Sequence, residues 1–136
     1  MFFYKRYLLT NRSTKAIRKG TSINIQVMNN LRNSVRLIGH LGKDPEIKQL
    51  ESGNSLARAS LATKEVRKTK EGEKIEDTQW HQIIGWGKTA ELMGTLLKKG
   101  KQVAINGKLV YRTYEDKNGI KRTISEVVVS EFMLMA

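Results

Sequence analysis

The stretch Thr78–Leu92, TQWHQIIGWGKTAEL, joins a run of strand-like alternation to the start of a helix. Side chains of a strand point alternately to its two faces, so Trp80, Gln82, Ile84 and Trp86 share one face and His81, Ile83 and Gly85 the other. From Lys88 the spacing turns helical. Both tryptophans of the chain therefore stand on one side of one predicted strand. Two readings of that face compete. Tryptophan is highly buried on average, which makes the rings core. An exposed indole is instead a platform on which any nucleobase can stack; Gln82, in the middle of the face, leans toward exposure.

Gly87-Lys88-Thr89 lies between strand and helix, as the end of a phosphate-binding loop does. Such a loop needs an earlier glycine so that backbone amides can wrap the phosphate, and Gln82 holds that place. Nucleotide hydrolysis is set aside on that ground.

Working outward, the 136 residues fit one domain with one core. With no cysteine and two histidines, His40 and His81, thiolate metal sites and a zinc cluster are not expected, and neither is any cofactor. No acid, base and nucleophile set stands out, so an enzyme is the weakest reading. No apolar run approaches membrane-spanning length. Lys and Arg number 25 against 13 Asp and Glu, a net charge of +12, which points to a polyanionic partner or to a merely solvated surface.

Residues 1–27 carry Lys5, Arg6, Arg12, Lys15, Arg18 and Lys19 with no acid. Lys5 and Arg6 interrupt the apolar start before a secretory signal can form. A mitochondrial transit peptide, a disordered basic arm, or an upstream start with translation from Met28 are the open readings. The expected domain is 28–136.

Within it, Ser34–Leu41 reads as a first strand closed by Gly42-Lys43-Asp44-Pro45. Glu46–Leu50 is an extended segment and Leu56–Thr63 a second strand. Lys64–Asp77 reads as a polar loop long enough to be a mobile flap. Thr78–Trp86 is the third strand, and a helix over Lys88–Lys99 places Leu92, Met93, Leu96 and Leu97 on its packing side, with Gly100 as terminator. Gln102–Val110 is the fourth strand. Asn118-Gly119 marks a hairpin tip between Tyr111–Tyr114 and Lys121–Ile124, and Ser125–Leu134 is the last strand. Five strands with one helix between the third and fourth is the layout of the OB-fold, an all-β Greek-key barrel that binds oligonucleotides.

The motifs Leu37-Ile38-Gly39-His40-Leu41-Gly42-Lys43-Asp44-Pro45-Glu46, Leu61-Ala62-Thr63, Thr78-Gln79-Trp80-His81, Gly87-Lys88-Thr89-Ala90-Glu91, Leu97-Lys98-Lys99-Gly100, Gly107-Lys108-Leu109 and Glu126-Val127-Val128-Val129 occur in this order. Together, over Asn30–Met135, they resemble the bacterial and mitochondrial type of single-stranded DNA-binding protein. The resemblance implies base stacking at Trp80, Trp86 and Tyr114 and a homotetramer with His81 at a subunit contact. Without it, His81 is more simply a satisfied strand histidine.

Lys43, Lys64, Arg67, Lys88, Lys98, Lys99, Arg112, Lys121 and Arg122 are the candidate phosphate path, with Lys88, Arg112 and Arg67 ranked first for nearness to the aromatics. Arg67 stands where many relatives carry an aromatic residue. The acidic tail through which bacterial relatives recruit replication enzymes is not expected here. The resulting expectation is a non-catalytic coat for single strands in replication, recombination and repair, in a bacterial cytoplasm in preference to a mitochondrion. Its rivals are a small basic RNA-binding or ribosomal barrel, because stacking and phosphate contact do not read the 2′-hydroxyl, and a primosome-type interaction module.

Overall fold

The structure, a computed structural model, describes residues 31–136. The elements below belong to the compact unit Ser34–Ala136. The readings of residues 1–27, with the boundary at Met28, lie outside the described residues.

Six strands and one helix follow in order: β1 Val35–Leu41, β2 Glu46–Gln49, β3 Ser55–Lys68, β4 Lys74–Trp86, α1 Gly87–Leu96, β5 Gln102–Glu115 and β6 Lys121–Leu134. The sheet order is β1-β5-β6-β4-β3-β2. A further antiparallel pairing of β1 with β3, His40 to Ala62 and Leu41 to Leu61, closes five of these strands into a ring. β2 stays outside it, added to β3. β4 and β6 run parallel at Ile83–Val127 and Ile84–Val128, whereas the other pairs are antiparallel. With α1 between the third and fourth strands of the ring, this is the expected OB-fold barrel.

Alternation supplies the core. Ala57, Ala59 and Leu61 of β3, Ile83 of β4, Val103 and Ile105 of β5 and Val127 and Val129 of β6 point inward and are buried. Ala90, Met93 and Leu97 cap the barrel interior. Gly85 makes that packing possible, since a Cβ there would run into the Met93 sulfur and come within 3.3 Å of the Ala90 nitrogen. The helical stripe thus differs from the expected one: Leu92 and Leu96 are exposed, because small Ala90 is what meets the strand. The helix also ends earlier than Lys99. Leu97 is already extended (φ −89°, ψ 135°), and its N–H donates to the Met93 carbonyl.

The expected flap over Lys64–Asp77 is instead a two-stranded arm. β3 runs to Lys68 and β4 starts at Lys74 in unbroken register, from Lys64–Thr78 to Lys68–Lys74. The turn between them is held by the Thr69 N–H donating to the Glu73 carbonyl and the Gly72 N–H to Thr69. The ladder holds even though Glu65 stands opposite Asp77 and Lys68 opposite Lys74; Lys64, opposite Thr78, reaches diagonally to Glu76, its Nζ 3.9 Å from the carboxylate. In the same way β5 and β6 extend beyond Val110 and before Ser125 into a second arm, whose tip is the Asn118-Gly119 turn. Near the barrel end of that pair the register shifts between Asn106 and Gly107, leaving Ser130 without an opposite residue, and its hydroxyl donates to the Asn106 carbonyl at 2.9 Å.

Candidate nucleic-acid interface

Cross-strand register decides which side chains share a surface. Trp80 faces Ala62, Gln82 faces Ser60, Ile84 faces Arg58 and Trp86 faces Leu56, all on the side away from the barrel interior. Trp80 is 58% and Trp86 48% exposed, so the face expected to be either core or platform is open at both rings. Ile84 between them is buried. It lies beside Val128, which joins this surface to the outer face of β5 and β6. Tyr114, Arg112, Val110 and Lys108 alternate along that outer face of β5, and Tyr114 is 41% exposed. The three predicted stacking residues therefore occupy one continuous outer surface.

Trp80 has a specific seat. A Cβ on Gly42 would fall 2.6 Å from Cζ3 and 2.9 Å from Cη2 of the indole, so the ring rests on the backbone just after β1. That backbone is fixed by the Gly42 N–H donating to the Ser60 carbonyl at 3.0 Å. His40, Leu41, Ala62, Lys64 and Thr78 line an open groove beside the same ring. Trp86 ends β4 at the N-terminal cap position of α1, which puts Lys88 within the first turn after it.

The predicted cations divide sharply. Lys88, Lys98 and Lys99 are exposed and form no ion pair among the described residues. The Lys99 N–H donates to Asp44 at 2.7 Å, tying the loop after α1 to the residues that follow Gly42. Lys43 is paired with Glu46, and its hydrogen bond holds the Glu46 carboxyl below its usual range. Arg122 donates to Asp116 at 2.9 Å, lowering the Asp116 pKa, with the Ile120 N–H adding to the effect.

Arg112 donates to Glu126 from Nη2 at 3.2 Å and from Nε at 3.4 Å. Those bonds raise its pKa. Its guanidinium carbon also stands 5.8 Å from the centre of the Tyr114 ring.

Arg67 faces Ile75 and Lys121 faces Glu115, which places each on the reverse side of its arm from Trp80 and Tyr114. Nearness to the aromatics, the ground for ranking Arg67 highly, is thus not what the register provides. Conversely, Arg58 and Lys48 lie on the tryptophan side, Arg58 facing Ile84 and Lys48 facing Leu56, next to Trp86. Lys108, exposed beside Val128, completes that side. The signal for Arg58 was present in the sequence: the alternation Ala57, Ala59, Leu61 as core puts the even positions of β3 outside.

His81 shares the inward alternation of β4, facing Leu61. It is half-buried, and its Nε2 lies 2.8 Å from the Thr63 hydroxyl.

Residues 32–135 match the model of the single-strand binding protein family. Over 104 residues the chain is 43% identical to the single-stranded DNA-binding protein 1 of Chlorobaculum tepidum, a match covering 76% of this chain and 64% of that one. It is 38% identical over 103 residues to the single-stranded DNA-binding protein of Xanthomonas campestris, covering 76% and 60%. The chain thus spans less than two-thirds of the length of these relatives. Among solved structures, a Plasmodium falciparum SSB complex with ssDNA superposes with a TM-score of 0.70 at 30% identity, covering 76% of this chain and 95% of that one. A deletion mutant of the single-stranded DNA-binding protein from Thermus aquaticus gives 0.67 at 27% identity, covering 76% and 50%. From barrel, outer surface and matched residues alike, the chain belongs to the single-strand binding protein family.

Proposed function

We propose that this chain binds single-stranded DNA without regard to sequence, coating transient single strands during replication, recombination and repair in a bacterial cytoplasm. The observation that carries the reading is the exposure of Trp80 and Trp86 on one outer surface with Tyr114. Large rings normally repay burial, and a surface that leaves three of them open is suited to base stacking. Lys88, Arg58, Lys48, Lys108 and Lys64 supply positive charge around them for the phosphates. The function is one of binding and not catalysis. The bacterial single-stranded DNA-binding relatives and the Plasmodium complex with ssDNA support the same ligand.

Titration of the full chain with single-stranded DNA oligomers of unrelated sequence, matched RNA and duplex DNA tests this, following tryptophan fluorescence. Quenching and tight binding by every DNA single strand, with weaker binding to RNA and duplex, is the expected result. Equal or tighter binding to RNA would replace DNA by RNA as the ligand, and absence of binding at low salt would reject the reading.

A further inference from the structure

Glu126 is a carboxylate on a surface otherwise suited to a polyanion. The parallel register places it two residues before Val128, as Gln82 stands two residues before Ile84 on the adjacent strand, so it lies amid the outer face and not at its rim. It is only 5% exposed. A buried carboxylate beside phosphates weakens binding unless its charge is spent on something else, and here both its oxygens accept from Arg112. The arginine is 42% exposed at the side chain, and its guanidinium carbon stands 5.8 Å from the Tyr114 centroid. A two-point pair of this kind fixes the orientation of the guanidinium plane as well as its place.

We infer that Glu126 is a positioning residue: it holds Arg112 against Tyr114 as one composite stacking platform and cancels the arginine charge, so that Arg112 does not act as a phosphate cation. This inference rests on single-strand binding as proposed above. It differs from the simpler expectation for Arg112, a free cation on the phosphate path, in a measurable way. An arginine that neutralises a phosphate releases a counterion, and each such contact contributes about −0.7 to the slope of log affinity against log salt for single strands. A pair with no net charge contributes almost nothing to that slope.

The test measures affinity for a single-stranded DNA oligomer across a salt series with the full chain and two variants. In Glu126→Gln the arginine regains its net charge, and the slope is expected to steepen by about 0.7. An unchanged slope in that folded variant overturns the inference. The double variant Arg112→Met with Glu126→Gln removes both charges together and leaves no unpaired buried ion, a replacement that proteins commonly tolerate. It is expected to keep the parent slope while losing affinity several-fold at every salt concentration. A slope flattened by about 0.7 would make Arg112 a phosphate ligand in the parent and overturn the inference. Should Glu126→Gln fail to fold, the double variant decides alone. Failure of the unmodified chain to bind single strands at all would instead reject the proposed function, a distinct outcome.

Discussion

The indole of Trp80 rests on Gly42, so closely that a β-carbon there would lie 2.6 Å from the ring. The contact joins the first residue beyond β1 to the middle of β4. With the Cζ3–Cη2 edge of the indole set against the Gly42 main chain, the ring is pre-placed to stack, and less side-chain freedom is lost on binding.

Gly42→Val is therefore expected to tilt or expel the ring while leaving the barrel folded, since Gly42 lies outside the buried core. Binding of single-stranded DNA should weaken by up to the value of one stacked base, about 1–3 kcal/mol, a range general to single-strand-binding barrels, this family included. Fluorescence titration beside a thermal melt checks it; unchanged affinity in a folded variant would count against the seat.

At Trp86 two effects separate. Trp86→Ala should cost about 1–3 kcal/mol of binding by the same general range, with the salt slope almost unmoved. Lys88→Ala should flatten that slope by about 0.7. Because Trp86 is 48% exposed, the alanine variant should lose far less stability than the roughly 3–5 kcal/mol of a core aromatic. An early melt with normal binding would return the ring to a structural role.

Acid should loosen the β5–β6 tip. Asp116 accepts hydrogen bonds from Arg122, Asn118 and Ile120, and its pKa is lowered, chiefly by Arg122. A carboxyl depressed on folding contributes stability that is fully present above its unfolded pKa and is lost as pH falls through its lower folded value. Amide exchange at Asn118 and Ile120 should accelerate over that acid range, relative to core amides, and Asp116→Asn should abolish most of the pH dependence. A pH-independent ratio in the parent chain would refute this.

For His81, we propose a subunit contact within a homotetramer. His81→Tyr should displace the hydrogen bond to Thr63 and weaken association, seen by light scattering over a concentration series. A parent chain that remains monomeric, or a variant that associates unaltered, would sink the assignment.

What could be read from the sequence follows locality. Trp80 and Trp86 stand six residues apart on one strand, so period-two alternation alone put them on one face, as Asn118-Gly119 alone marked a turn. Gly42 beneath Trp80 joins segments distant in the chain, and Glu126 behind Arg112 is a diagonal contact across the β5–β6 hairpin; side-chain alternation within one strand announces neither. The side on which Arg67 stands was hidden for another reason. From Lys64 to Asp77 few apolar side chains mark an inner face, so neither strand nor side could be assigned until the register of β3 with β4 was in hand. Leu92 and Leu96 fit the apolar helical spacing beside Met93 and Leu97, whereas the strand beneath, at Gly85, accepts the small Ala90 and leaves them exposed.

Ser130, the unopposed residue of β6, carries a consequence for how that strand is written. Val127 and Val129 pack inward at odd positions, whereas Phe132 packs against the core at an even one. Parity changes because the ladder does not count Ser130: Gly107 is opposite Val129, and the next two residues back along β5, Asn106 and Ile105, are opposite Glu131 and Phe132. The extra residue acts as a silent letter between two stretches of code. A deletion within a strand ordinarily turns every following side chain to the wrong face. Excising Ser130 would instead leave Val129 inward, Glu131 outward and Phe132 inward, with each partner on β5 unchanged, and would remove only the local bend and added twist. The same excision one or two residues earlier, at Val128 or Val129, would lack that protection unless Ser130 itself moved into the ladder to replace the missing residue.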